Sequence, residues 1–163
     1  MENTTLNRTL EHMAWANTQM FTVLAALPVD ALAYTSPGSE WSVGAITHHL
    51  VTAAENYAQR LHGEPRAEKR ELPTTIADLA ALAVAVKVAD AKLHAGAQLP
   101  GDEILTWISY GGEEISVPRW VLINQAVHHA TEHRDQIAGA LAVNGNTTLD
   151  LDALDVWTYN DAL

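Results

Sequence analysis

Apolar residues recur along this chain at helical rather than strand spacing. Leu6, Leu10, Met13, Phe21 and Leu24 fall on one stripe with Asn17 among them, after Asn3 and Thr4 as capping candidates and before Pro28 as a stop. A loop with Pro37 and Gly38 leads to Trp41 and Ser42. Ser42 is placed to cap a second helix whose stripe reads Ile46, His49, Leu50, Ala53, Tyr57 and Leu61. A third helix is predicted to open at Thr74 or Thr75, to repeat Ile76, Leu79, Ala83, Val86, Ala89 and Leu93, and to end before Pro100-Gly101. The fourth spans about Arg119 to Val143 and stops at Asn144-Gly145-Asn146.

The links set the topology. His62 to Pro73 is polar and cannot continue a helix through Pro65 and Pro73. Fully extended, it reaches roughly 40 Å, the length of a bundle helix, so the second and third helices can lie parallel. Two β-rich runs, Ile104 to Tyr110 and Glu113 to Val117, flank Gly111-Gly112 and predict a small hairpin or extended loop. Pro118 closes it and suits the first turn of a helix. The tail is acidic, with Asp150, Asp152, Asp155 and Asp161, but Leu149, Leu151, Leu154, Val156, Trp157 and Tyr159 predict that it docks. The expected fold is an all-α four-helix bundle in one domain, residues 1–163.

Composition narrows the chemistry. With no cysteine, disulfides and thiolate metal ligands are excluded. Nine Lys and Arg against 20 Asp and Glu leave a formal charge of −11, a field that repels phosphate backbones and argues against a nucleic-acid partner. The N-terminus has no basic region ahead of an apolar run, and no stretch is apolar for long enough to span a bilayer, so a cytoplasmic protein without a membrane partner is expected.

Eight histidines are many for 163 residues. The inward stripe of the fourth helix reads Leu122, Ala126, His129, His133, Ile137 and Ala140, so two imidazoles one turn apart project from a core face. His49 can supply a third from across the bundle. Such a pair alone is also found on surfaces or as hydrogen-bonded core residues; a third core histidine shifts the balance towards metal binding. His128 shares its face with Val121, Glu132 and Asp135, and His48 turns away from the stripe of His49. His12, His62 and His94 lack a partner pattern and are expected to face solvent. Three neutral nitrogen ligands leave a divalent ion its full charge and open positions, as in catalytic sites. Zinc and nickel lead, with copper and iron also compatible. Glu132, Arg134 and Gln136 are candidate catalytic or orienting groups, and Glu55 a candidate base. A solvated surface charge for Glu132, and helix-to-helix hydrogen bonds for Arg134 and Gln136, are the competing readings.

Trp41-Ser42-Val43-Gly44 followed by His49 resembles the second-helix signature of the DinB-like family, and His129-Ala130-Thr131-Glu132-His133-Arg134-Asp135-Gln136-Ile137 is similar to its fourth-helix motif. Trp15-Ala16-Asn17 and the aromatic run with Gly-Gly before the last helix also resemble it. The resemblance implies an up-down-down-up bundle, a metal on three histidines and, often, a homodimer. Characterised relatives include thiol-dependent S-transferases and isomerases that use bacillithiol, mycothiol or glutathione; many have no assigned reaction. Two departures stand out: Asp135 occupies a position where many relatives carry glycine, and the tandem pair leaves His48 conceivable in place of His49, although register favours His49. The expected function is metal-dependent S-transfer from a low-molecular-weight thiol to a small-molecule substrate. The alternatives are metal-dependent hydrolysis and a non-catalytic, ligand-binding dimeric bundle.

Overall fold

Each long helix starts where a side chain or a proline deals with the free N–H groups of a first turn. In the computed structural model, which describes residues 4–66, 69–109 and 111–163, α1 is Thr4–Ala26; Asn3 lies outside the described residues. Ser42 Oγ accepts from the Ala45 N–H at 3.2 Å and opens α2, Val43–Leu61. Thr75 and Asp78 form a reciprocal capping box at the head of α3, Ile76–Ala97. Pro118 precedes α4, Arg119–Val143, and a short α5, Val156–Asp161, ends the chain. The described residues are mainly helical, with four long helices packed on one another.

The anticipated hairpin is present. Strand β1, Ile104–Ile108, pairs antiparallel with β2, Glu114–Pro118, setting Ile104 opposite Pro118 and Ile108 opposite Glu114. Gly112 adopts a φ of 83° in the connection, a conformation that favours glycine. Arg119 fastens the hairpin to the end of α3, donating to the carbonyls of Leu99, Pro100 and Gly101 and to the Glu103 carboxylate. Sequence reasoning missed a short 3-10 turn at Val29–Ala33 and the Thr35–Ser42 bridge, which together hold the approach to α2.

Contacts at the helix ends give the directions. Pro73, just ahead of α3, lies against Gly44 at the start of α2, and Gly96 near the end of α3 lies against Leu61 at the end of α2, so these two helices are parallel. Asn7 near the start of α1 bonds Gln98 just past α3, which makes α1 antiparallel to α3. Tyr57 and His129 meet, as do Trp41 and His133, so α2 and α4 run in opposite senses. The topology is therefore up-down-down-up, and the polar strap between α2 and α3 is the long crossover. His48 donates to the Arg70 carbonyl at 2.9 Å and Arg70 forks onto the Glu55 carboxylate at 2.7 and 3.0 Å, tying the strap to α2.

The core is built by Leu10, Met13 and Met20 of α1, Leu50 and Val51 of α2, Leu79 and Leu93 of α3, and Ile137 and Leu141 of α4, all fully buried. Each large aliphatic side chain so placed stabilises the fold by roughly 1.5–3 kcal/mol. The stripe expected for α3 needs correction. Ile76 is 40% exposed, while Leu82 and Asp90 are buried at 3% each. This helix is apolar on nearly all sides, so spacing alone does not choose its inner face. Asp90 accepts from Asn17 Nδ2 at 3.0 Å, and Asn17 Oδ1 accepts from Arg134 at 2.7 Å, so a polar chain crosses the core from α3 through α1 to α4. Two histidines expected to face solvent do not. His12 is half-buried and donates to the Leu154 carbonyl at 2.8 Å, and His94 has a buried Nε2 with no partner among the described residues. The tail docks through Leu149 and Leu154, whereas Val156 and Trp157 stay exposed. No helix is long and apolar enough to cross a membrane.

Candidate metal centre

The cap at Ser42 fixes where α2 begins and hence which way His49, about two turns on, points. From α4, His129 and His133 project one turn apart towards it. His129 Nε2 lies 3.1 Å from His49 Nε2 and 3.0 Å from His133 Nε2. Among the described residues these rings form the one group of histidine or carboxylate side chains whose ligand atoms converge, all within 4.8 Å. Nitrogens at 2.0–2.1 Å from a tetrahedral ion stand about 3.3 Å apart, close to the two separations that His129 makes with its neighbours.

The proton inventory of the three rings also fits a cation. His133 Nδ1 donates to Gln136 Oε1 at 2.7 Å, which leaves the Nε2 of a neutral His133 as a lone pair aimed into the cluster. A hydrogen on His129 Nε2 can then serve His133 or His49, not both. One proton among three facing nitrogens leaves an electron pair unanswered, and a cation answers all three. Burial, followed by the neighbouring His133 and His49, pushes His129 down to about 4. Burial, then His133 and His48, also lowers His49. Both rings are thus neutral near pH 7 with nitrogen lone pairs available.

Aromatic walls close two sides. Trp41 stacks on His133 with centroids 6.2 Å apart and meets His49 edge-on at 4.8 Å. Tyr57, two turns after His49 on the same stripe, stands perpendicular to His129 at 5.7 Å. Burial above all raises the Tyr57 phenol, which keeps its proton near neutrality. Beside Trp41 and His133 a cleft of about 530 Å³ opens to solvent, bordered also by Ser36, Ser39, Asp135, Gln136 and Gly139. Hollows of 410 and 420 Å³ lie at α5 and under the strap, away from the three rings.

The other candidates are distributed as follows. Gln136 orients His133. Arg134 is buried and donates to Asn17 and to Thr131 Oγ1, so it braces helices and does not reach the rings; its burial lowers it to about 10. Glu132 and His128 are exposed on the outer face of α4, and Glu55 is occupied by Arg70. His48 faces the strap, not the cluster. The role of Trp41 as a wall was not foreseen, although its position directly before the α2 cap was a signal. The Asn17–Asp90 contact had no signal in spacing.

Over residues 1–161 the sequence matches the DinB family. The fold is similar to that in the crystal structure of a DinB-like protein from Bacillus cereus ATCC 10987, with a TM-score of 0.61 and 20% identity, covering 83% of this chain and 87% of that one. At that identity the likeness is one of fold. No curated protein matches.

Proposed function

The chain belongs to the DinB family, and from that premise and the convergence of three imidazoles we propose a metal-dependent enzyme that transfers a low-molecular-weight thiol to a small electrophilic substrate. The observation that carries the reading is the meeting of His49, His129 and His133 Nε2 atoms beside an open cleft. His49, His129 and His133 would hold a divalent transition metal, zinc or nickel by donor type. When bound, the ion supplies Lewis acidity that makes a thiol or water easier to deprotonate near neutral pH.

The chain's own residues do the rest. Gln136 holds the His133 tautomer that presents Nε2 inward. Trp41 and Tyr57 restrict the rings and exclude water on two sides. Tyr57 stays protonated, its ring standing against His129 and its hydroxyl bonded to Gln125. The reaction class is S-transfer: the thiol proton passes to solvent, the sulfur bonds an electrophilic carbon, and that carbon's leaving group departs with the bonding pair.

The test is elemental analysis of untagged protein, followed by turnover of electrophilic substrates with and without added thiols. Roughly one transition-metal ion per chain, lost in His129→Ala together with thiol-dependent turnover, is expected. Less than about half an equivalent under non-chelating conditions defeats the metal reading. Turnover indifferent to every thiol removes S-transfer and leaves metal-dependent hydrolysis.

A further inference from the structure

The polar chain that crosses the core ends on α4 beside the three rings, and its role there rests on the metal reading of those rings. His133 and Arg134 are consecutive on α4 and both buried, at 6% and 4% exposed. Consecutive helical residues diverge by about 100°, so a single rotational setting of α4 aims His133 at α2 and Arg134 at α1 together. Arg134 Nη1 donates to Asn17 Oδ1 at 2.7 Å, and Asn17 Nδ2 donates to Asp90 Oδ2 at 3.0 Å. Both ends of this buried amide are thus occupied. The Asp90 carboxyl, pushed up to about 6 by burial, is largely ionised near neutral pH and can then only accept, which turns the nitrogen end of Asn17 to α3 and its oxygen end to Arg134.

The rings need a tighter setting of α4 than its apolar packing supplies. A histidine Nε2 lies roughly 6 Å from the helix axis, so a rotation of about 10° moves it by about 1 Å. Distances from a metal to its ligands tolerate only about 0.2 Å. From residue 126 to residue 140 the buried apolar side chains of α4 are Ala126, Ala130, Ile137 and Ala140. Methyl groups make shallow ridges that resist rotation weakly, whereas a charge-assisted hydrogen bond to a fixed amide is directional. We propose that Asn17, on a helix that supplies none of the three rings, is a positioning residue of the metal centre: it holds Arg134 and so fixes the rotation of α4 that presents His129 and His133 to His49. Asn17 acts through Arg134 and ligates nothing itself.

The test loads the full chain with cobalt(II), follows its visible ligand-field absorption and measures affinity by competition with a chelator, while circular dichroism reports the fold. Asn17→Ala is expected to bind cobalt about tenfold more weakly and with altered absorption bands. Arg134→Met cuts the same tether from its other end, leaves no unpaired cation in the core, and is expected to do the same. Leu24→Ala empties a buried position two turns further along α1 and is expected to lower thermal stability with cobalt affinity and bands unchanged. Wild-type affinity and bands in Asn17→Ala, or in Arg134→Met where Asn17→Ala does not fold, overturn the proposal. An equal loss of affinity in Leu24→Ala overturns it too, because affinity would then follow stability alone. A wild-type chain that takes up no cobalt overturns the metal reading itself, an outcome distinct from a loaded chain indifferent to Asn17.

Discussion

Asp90 makes a quantitative test of the core. Only 3% of its surface is exposed, Oδ2 takes one hydrogen bond from Asn17, and Oδ1 has no partner among the described residues. Burial raises the carboxyl from 3.8 to about 6, opposed by the Asn17 bond and the Arg134 charge. The unfolded chain loses this proton near pH 4 and the folded chain near pH 6. Between those values the folded state binds more protons, so Asp90 makes the fold less stable as pH rises, by about 3 kcal/mol in full. Asp90→Asn is neutral throughout. Arg134 keeps its charge up to about pH 10, so its altered surroundings shift the variant by a constant amount across this window. The stability of Asp90→Asn relative to wild type should therefore rise by about 2.4 kcal/mol from pH 4 to pH 7, the remainder of the full effect lying outside that window. Urea unfolding at several pH values measures it, and groups common to both proteins cancel in the difference. A difference that stays flat within about 1 kcal/mol would refute the claim that burial governs this carboxyl.

Two further predictions concern the metal centre. Gln136→Ala removes the acceptor on His133 Nδ1 and should weaken metal affinity roughly 10- to 100-fold with little change in fold, as read by competition with a chelator; unchanged affinity would show that the amide does not set the tautomer. In metal-free protein the His129 ring should stay neutral as pH falls and titrate near pH 4, as followed by ring NMR signals. A midpoint above about pH 6, where a free imidazole titrates, would mean that the ring is solvated.

The parts of the fold that the chain's punctuation marks were readable in advance. Pro118 and the Asn144-Gly145 pair bracket α4 at the expected limits, and Ser42 and Thr75 cap α2 and α3 as anticipated. The histidine cluster was visible because α4 alternates apolar and polar faces around its imidazoles, so His129 and His133 could be set apart from His128. In α3 the same method failed. With alanine and valine on every side, nothing in the spacing distinguishes buried Leu82 from exposed Val84, and an acid such as Asp90 reads as surface unless its partner on α1 is known. The destinations of Arg134, Asn17 and His94 depend on which helices become neighbours, a property of the assembled bundle and not of any one segment.

The donor nitrogens of His49 and His129 sit 3.1 Å apart although 80 residues separate them along the chain. During synthesis, a ribosome that has released α2 and α3 has delivered one donor and no place to keep an ion. The cluster is complete only when the last long helix has emerged and fallen into its groove. Any loading of the site would therefore be a late event in the maturation of this chain, since truncation anywhere before residue 129 leaves one of the three rings however well the first three helices associate.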